Sequence, residues 1–513
     1  MKVCIPSAEF HKGVPILAVD FRRNCSSYKI ATGAINFDLR IWELQISEAE
    51  ESVSVKQCSN LKHHDSSVNI VRFSHSGKFL ASGDSVGCVH VWTYAKRKSN
   101  DCEKAVALCG SEGIKVTADD ELKWIVSKTL FCDVVPGHSL VKEVADLSWS
   151  ASDDLLATTS MNGSVILWYR QTGLPCRAWQ CGNAWGLGVS CHPSEQLVVV
   201  MVNKGSMSIF NAANVKNCVL KRCLLPTGVD HKLEKRTLFD NDSSKAFKMS
   251  PSFSPDGNIL VVPNGKICEK ENKAFRYASY IWQMPNLRTP CYILPSPERT
   301  ISVRFCPVTF KLRNCKEESM VKLDYKFVFA ILSESMVFVY DTEHMRPIGC
   351  IANYHSAPLT DVTFSDDGRF LVTSSMDGNL SFISLSKDEL GISTDSACWT
   401  AFKEVIGKEK LANYRISSSN SMRSSVGADP SSSVLMNSDS DSSTDDENNF
   451  SEINPKQMKI AAGVKGIHSK SSSSECQTVE RTGDSRTEQH RADHSHSQNV
   501  KVRRISLQPV EDG

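Results

Sequence analysis

The chain has almost no net charge: 59 Lys and Arg stand against 58 Asp and Glu, leaving +1. A surplus of basic residues is the electrostatic footprint of wholesale nucleic-acid binding, and its absence argues against sequence-specific DNA binding. No apolar run is long enough to span a membrane. Glu9, His11 and Lys12 interrupt any apolar stretch that could serve as a secretory signal. The 19 cysteines are odd in number and include no C-x-x-C pair, so a disulfide framework or a zinc site is not expected. Most sit at strand positions, such as Cys88, Cys191 and Cys306, and read as buried reduced thiols of a cytosolic or nuclear protein. There is no Gly-rich phosphate loop, no G-x-S-x-G and no H-E-x-x-H. No catalytic residue, cofactor or metal site is therefore expected.

What the chain does have is one sentence written repeatedly. Its clearest copy runs from Val68 to Gly83 and closes on Val89-His90-Val91-Trp92. It returns from Val144 to Trp168 and from Leu359 to Ile383. Each copy has an alternating strand, a turn (Ser76-Gly77, Asp367-Gly368), a second strand, an Asp/Asn-Gly type turn and a third strand ending on an aromatic or β-branched residue. A three-strand unit cannot bury its own faces, whereas copies stacked around an axis can. The pattern predicts an all-β fold, a seven-bladed WD40 β-propeller over residues 1–392. The other copies run from Ile16 to Trp42, Trp185 to Phe210, Phe253 to Trp282 and Ile301 to Asp341. Each lacks a fourth strand, which the following segment would supply. Val3 to Phe10 is expected to pair with the seventh blade and close the ring. Uneven spacing places insertions at about Lys96–Val126 and Lys216–Ala246.

His64, His138 and His355 precede the first strand of a repeat. They are expected to bond within the blade to a turn aspartate, Asp84 or Asp377, as structural caps. The cluster His490, His494 and His496 has no framework to fix ligand geometry and reads as chance.

The composition changes near residue 390. After Tyr414 the only Phe, Tyr or Trp is Phe450, and serine runs appear at 417–419, 431–433 and 471–474. Residues 393–513 are therefore expected to form a disordered tail. Within it, residues 438–447 are an acidic, serine-rich run: a solvated spacer, a phosphoacceptor cluster, or a strip for basic partners such as histones. The tail ends on a motif at 501–510: Arg503 and Arg504 before Ile505, Leu507, Pro509 and Val510. Paired arginines before alternating apolar residues suit a short strand docking on a partner's sheet edge, a nuclear-import patch being the blander alternative.

Five stretches lie outside the generic repeat grammar: Pro15–Phe21, Ser59–Leu61 with His64, Phe239–Phe247, Val303–Leu312 and Lys387–Ile392. On these residues the propeller resembles the middle WD-repeat subunit of chromatin assembly factor 1, a family related to the Hir/HIRA histone chaperones. The resemblance covers about residues 1–392 and the terminal motif. It departs at the insertion-like Asn24–Ser27, at third strands lacking a Trp-Asp ending, and through the rest of the tail. It implies a nuclear, non-catalytic subunit of a replication-coupled complex that deposits newly made core histones on DNA. It implies the large and small subunits of that complex as partners, with core histones contacted indirectly. It also implies that the tail motif recruits the anti-silencing-function histone chaperone. Arg503 and Arg504 would then pair with its acidic residues, Ile505, Leu507 and Val510 would give apolar contacts, and Pro509 would restrict the unbound ensemble. The alternatives are a substrate adaptor or signalling scaffold, and a replication-independent HIRA-type chaperone; the last carries a second folded region that residues 393–513 could not form.

Overall fold

The computed structural model describes residues 1–47, 52–96, 122–132, 141–212, 217–220, 222–227, 232–240, 248–268, 275–287, 289–313, 323–394 and 459–460. Among the described residues, seven sheets, each built on consecutive antiparallel strands, surround an axis, with one separate hairpin; the seventh sheet is completed by the N-terminal strand and the fifth carries an added parallel strand. In the second blade the order from the axis outward is Val68–Phe73, Phe79–Asp84, Cys88–Lys96 and Leu122–Phe131. The inner strands are sandwiched between neighbouring blades and are mostly buried, Val68–Phe73 along its whole length. Outer strands range from mostly open, as in Pro175–Gln180 of the third blade, to mostly buried, as in Tyr292–Ser296 of the fifth. That gradient is why the repeat grammar is strongest in its first two strands.

The turn after the inner strand has a common lock in the second, third, fifth and seventh blades. Ser74 Oγ accepts the Phe79 N–H at 3.3 Å, and its carbonyl accepts the Gly77 N–H at 2.9 Å. Ser150, Ser254 and Ser365 bind Leu155, Ile259 and Phe370 in the same way, at 2.9–3.0 Å. A serine directly after the aromatic thus closes the first hairpin. Gly77 has φ +68°, and a Cβ there would lie 1.9 Å from the Arg23 carbonyl oxygen, so this turn also sets how closely the first two blades approach.

The ring closes as expected, but with a shorter strand. Lys2–Cys4 pairs with the third strand of the seventh blade, Val3 opposite Ile383. Phe10, expected in that strand, is instead fully buried edge-on to Trp42, ring centroids 5.2 Å apart. This packing anchors the entry to the first blade; burying one such side chain contributes roughly 1.5–3 kcal/mol.

Both insertions are narrower than their spacing suggests. In the second blade the outer pair is extended, with Tyr94 opposite Trp124 and Lys96 opposite Leu122, so residues 122–126 belong to a strand. The Arg22 guanidinium covers these two rings, 4.4 and 5.0 Å from their centroids, and fixes the extension. In the fourth blade Asn217–Leu220 is the outer strand. The inserted element begins after it, as the hairpin Arg222–Thr227 with Lys232–Thr237.

A short helix, α1 (Lys387–Leu390), follows the seventh blade behind a capping box of Ser386 and Glu389. The chain then runs along the sixth blade, the Thr394 N–H donating to the Thr309 carbonyl at 2.9 Å, two residues past the expected boundary. Within the stretch expected to be disordered, Lys459–Ile460 pairs in parallel with Tyr292 and Ile293 on the outer edge of the fifth blade. The acidic run 438–447, the histidines at 490, 494 and 496, and the motif 501–510 lie outside the described residues.

Candidate functional site: the axial channel

Two buried constellations look like chemistry and are braces. His64 Nδ1 lies 2.9 Å from Asp84, and its Nε2 lies 2.7 Å from Ser82 Oγ, which also accepts the Trp92 indole N–H at 2.8 Å. The order hydroxyl, imidazole, carboxylate is that of a nucleophilic triad, but Ser82 is 0% exposed and no substrate can reach it. Asp84 also accepts the Val86 and Cys88 N–H groups at 3.1 and 2.8 Å, so the chain of bonds ties the loop before the blade to its second turn. His355, Asp377 and Ser381 repeat the arrangement at 2.9 and 2.6 Å. The expected pairs His64–Asp84 and His355–Asp377 are thus both made; His138 lies outside the described residues.

Asp341, Glu343 and His344 bring their ligand atoms together as a metal site would. The place of the cation is taken by Lys326, whose ammonium lies 3.3 Å from both carboxylates and whose side chain is fully buried. The described cysteines are free thiols. Burial pushes the Cys306 thiol up to about 12, which suits an inert core residue.

The polar centre of the molecule is its axis. Asp361, on the inner strand of the seventh blade, accepts from Arg72 Nη1 at 2.6 Å and Nη2 at 3.1 Å. Lys248 Nζ lies 2.9 Å from the same carboxylate and Arg304 Nη2 4.0 Å from it. Burial opposes the Asp361 charge, yet Arg72, Lys248 and Arg304 hold its carboxyl well below the usual range. Burial pulls Lys248 down to about 8, against the pull of Asp361. Arg72 and Arg304 each precede an inner-strand aromatic, Phe73 and Phe305, and therefore share one position in the repeat. Aligning that position across the repeats would have found them in the sequence.

The channel opens on the face of the first turns as a cavity of about 150 Å³. Arg23, Arg72 and Arg304 supply positive charge, Asp20 a negative one, and Ser148, Ser190 and Ser252 hydroxyls. Phe73, Trp149, Phe253 and Phe305 form its apolar wall. Its one lining carboxylate, Asp20, is tied up in internal bonds to the Phe73 N–H and the Thr363 hydroxyl. The six tail residues singled out for partner binding (Arg503, Arg504, Ile505, Leu507, Pro509, Val510) are not brought to it, because they lie outside the described residues.

The family model described as the CAF1B/HIR1 β-propeller domain matches residues 1–390. The chain belongs to this family. The CAF1B-type subunit of chromatin assembly factor 1 from Mus musculus is 30% identical over 405 residues, covering 76% of this chain and 68% of that protein. Its counterpart in Saccharomyces cerevisiae is 27% identical, covering 74% and 85% respectively. Protein HIR1 of Yarrowia lipolytica is 23% identical and is covered over only 35% of its length. The likeness therefore falls on the chromatin assembly factor side of the family, in agreement with the resemblance drawn from the five diagnostic stretches.

Proposed function

We propose that this chain is the non-catalytic WD-repeat subunit of a chromatin assembly factor 1 type histone chaperone, acting in the nucleus to place newly made core histones on replicated DNA. The observation that carries the reading is the extent of the likeness to CAF1B-type subunits of chromatin assembly factor 1, 76% of this chain and 68% of the mouse relative. The propeller scaffolds the large subunit, which in turn links it to the small one. The motif 501–510 recruits the anti-silencing-function chaperone: Arg503 and Arg504 pair with its carboxylates, while Ile505, Leu507, Pro509 and Val510 lie along a sheet edge. The chain between propeller and motif acts as a tether, raising the local concentration of histone donor near acceptor. Core histones reach the complex through these partners, and the propeller itself does no chemistry on them.

The test is calorimetric binding of a peptide covering residues 495–513 to the anti-silencing-function chaperone, beside an Arg503→Ala/Arg504→Ala version. Micromolar or tighter binding that is lost in the double variant supports the handover role. Equal binding by both peptides, or none by either, removes the motif from the proposal.

A further inference from the structure

The axial cluster balances in charge but not in hydrogen bonds. Its carboxylates are each already engaged inside the protein. Asp20 takes the Phe73 N–H at 2.8 Å and the Thr363 hydroxyl at 2.7 Å. Asp146 takes the Val189 and Leu147 N–H groups at 3.1 and 3.0 Å. Asp361 takes the Val19 and Val362 N–H groups at 3.3 and 3.0 Å, besides Arg72. The donors are in excess. Among the described residues, Arg72 Nε, Arg304 Nη2 and the hydroxyls of Ser250 and Ser302 are buried without a hydrogen-bond partner. An unmatched buried donor costs about 1–3 kcal/mol, and more when charged, so a group of them marks a place for an acceptor. Burial, then the Arg72 charge, pulls the Arg304 guanidinium below its ordinary value, which an added negative charge would relieve.

We infer that the channel mouth binds a single anionic side chain, a carboxylate or a phosphorylated hydroxyl, presented by a protein segment lying across the face of the first turns. The cavity of about 150 Å³ has room for one such side chain. Arg304 and Arg23 would hold the anion, with the hydroxyls of Ser148 and Ser252 beside them, and the ring of Phe73, Trp149, Phe253 and Phe305 would cover its stem. The site stands on this geometry alone and does not depend on the tail motif or on histone handover.

The test is thermal unfolding of the full chain in inorganic phosphate against sodium chloride of equal ionic strength, for the wild type, Arg304→Gln, Arg23→Gln and, as a control on the other face, Lys204→Gln. Phosphate at ten times its Kd should raise the wild-type and Lys204→Gln Tm by roughly 2 °C. Arg304→Gln should lose the phosphate shift, while its Tm in chloride falls because it gives up the ion pair to Asp361 at 4.0 Å and the bond to the Val303 carbonyl at 3.3 Å; Arg23→Gln should retain part of the shift. Should Arg304→Gln not fold, the reduced shift in Arg23→Gln decides. Short peptides bearing one glutamate or one phosphoserine, titrated by calorimetry, then separate the two sources of the anion. No preference for phosphate over chloride in the wild type, or an equal shift in every variant, overturns the inference.

Discussion

The guanidinium of Arg72 and the carboxylate of Asp361 meet at 2.6 and 3.1 Å on the propeller axis, tying the second blade to the seventh across 289 residues of sequence. Lys248 reaches the same carboxylate at 2.9 Å from the entry to the fifth blade. One aspartate thus neutralises side chains from several blades, and the ring closes electrostatically at its centre as well as by strand pairing at its rim.

Replacing Asp361 with alanine leaves buried cations without their main counter-charge. The expected cost is about 3–5 kcal/mol, the usual penalty for breaking a buried ion pair from one side. Denaturant unfolding measures it. Adding Arg72→Met to the same chain should recover part of the loss, since one of the stranded charges is then gone.

Lys326 fills what would otherwise be a metal site. Lys326→Met should cost about 3–5 kcal/mol because Asp341 and Glu343 remain buried and unpaired. The triple variant with Asp341→Asn and Glu343→Gln should be more stable than Lys326→Met alone. Zinc or calcium should leave the wild-type Tm unchanged.

Two glycines separate backbone strain from blade packing. Gly13 and Gly77 both have positive φ, +74° and +68°, but only Gly77 has a neighbour in the way, the Arg23 carbonyl oxygen at 1.9 Å from a built Cβ. Gly13→Ala should cost about 1 kcal/mol. Gly77→Ala adds the displacement of one blade from the next and should cost about 3 kcal/mol. Equal costs would show that the blades do not meet rigidly at this turn.

Acid should weaken the propeller in two windows. Burial, helped by Arg40, lowers the His11 pKa to about 4, and burial, helped by His64, lowers that of His90 to about 4. The unfolded chain then binds more protons than the folded one, so stability is full above about pH 6.5 and is lost as the pH falls toward 4. Asp153 adds a second window. Burial opposes its charge, but bonds from His75 and Ser76 hold it down at about 2, and its contribution, full above about pH 3.9, is lost as the pH falls to that value. In a His11→Gln/His90→Gln variant the slope of Tm between pH 6.5 and 4 should flatten while the lower window stays.

The blade count was legible because the three-strand pattern recurs in every blade, and in four of the seven a serine after the inner-strand aromatic locks the first turn. Fourth strands were less so. Asn217–Leu220 and Leu122–Val126 lie on outer edges, where burial imposes little pattern, and they read as insertion. The role of Phe10 was missed because its partner, Trp42, is 32 residues away in sequence and meets it only once the first blade has folded. The axial cluster was not legible as a unit: Arg72 and Arg304 share a repeat position, but Lys248 and Asp361 carry no local signature, and only the fold brings the four together. The tail motif was legible solely as a short pattern of residue types.

The most direct test of the account is nucleosome assembly on replicating plasmid DNA by the reconstituted complex, with and without this chain. The account predicts that the large and small subunits alone deposit histones poorly, that the full chain restores deposition, and that Arg503→Ala/Arg504→Ala joins the complex yet fails to restore it when histones are supplied on the anti-silencing-function chaperone. Equal deposition whether or not the chain is present would contradict it.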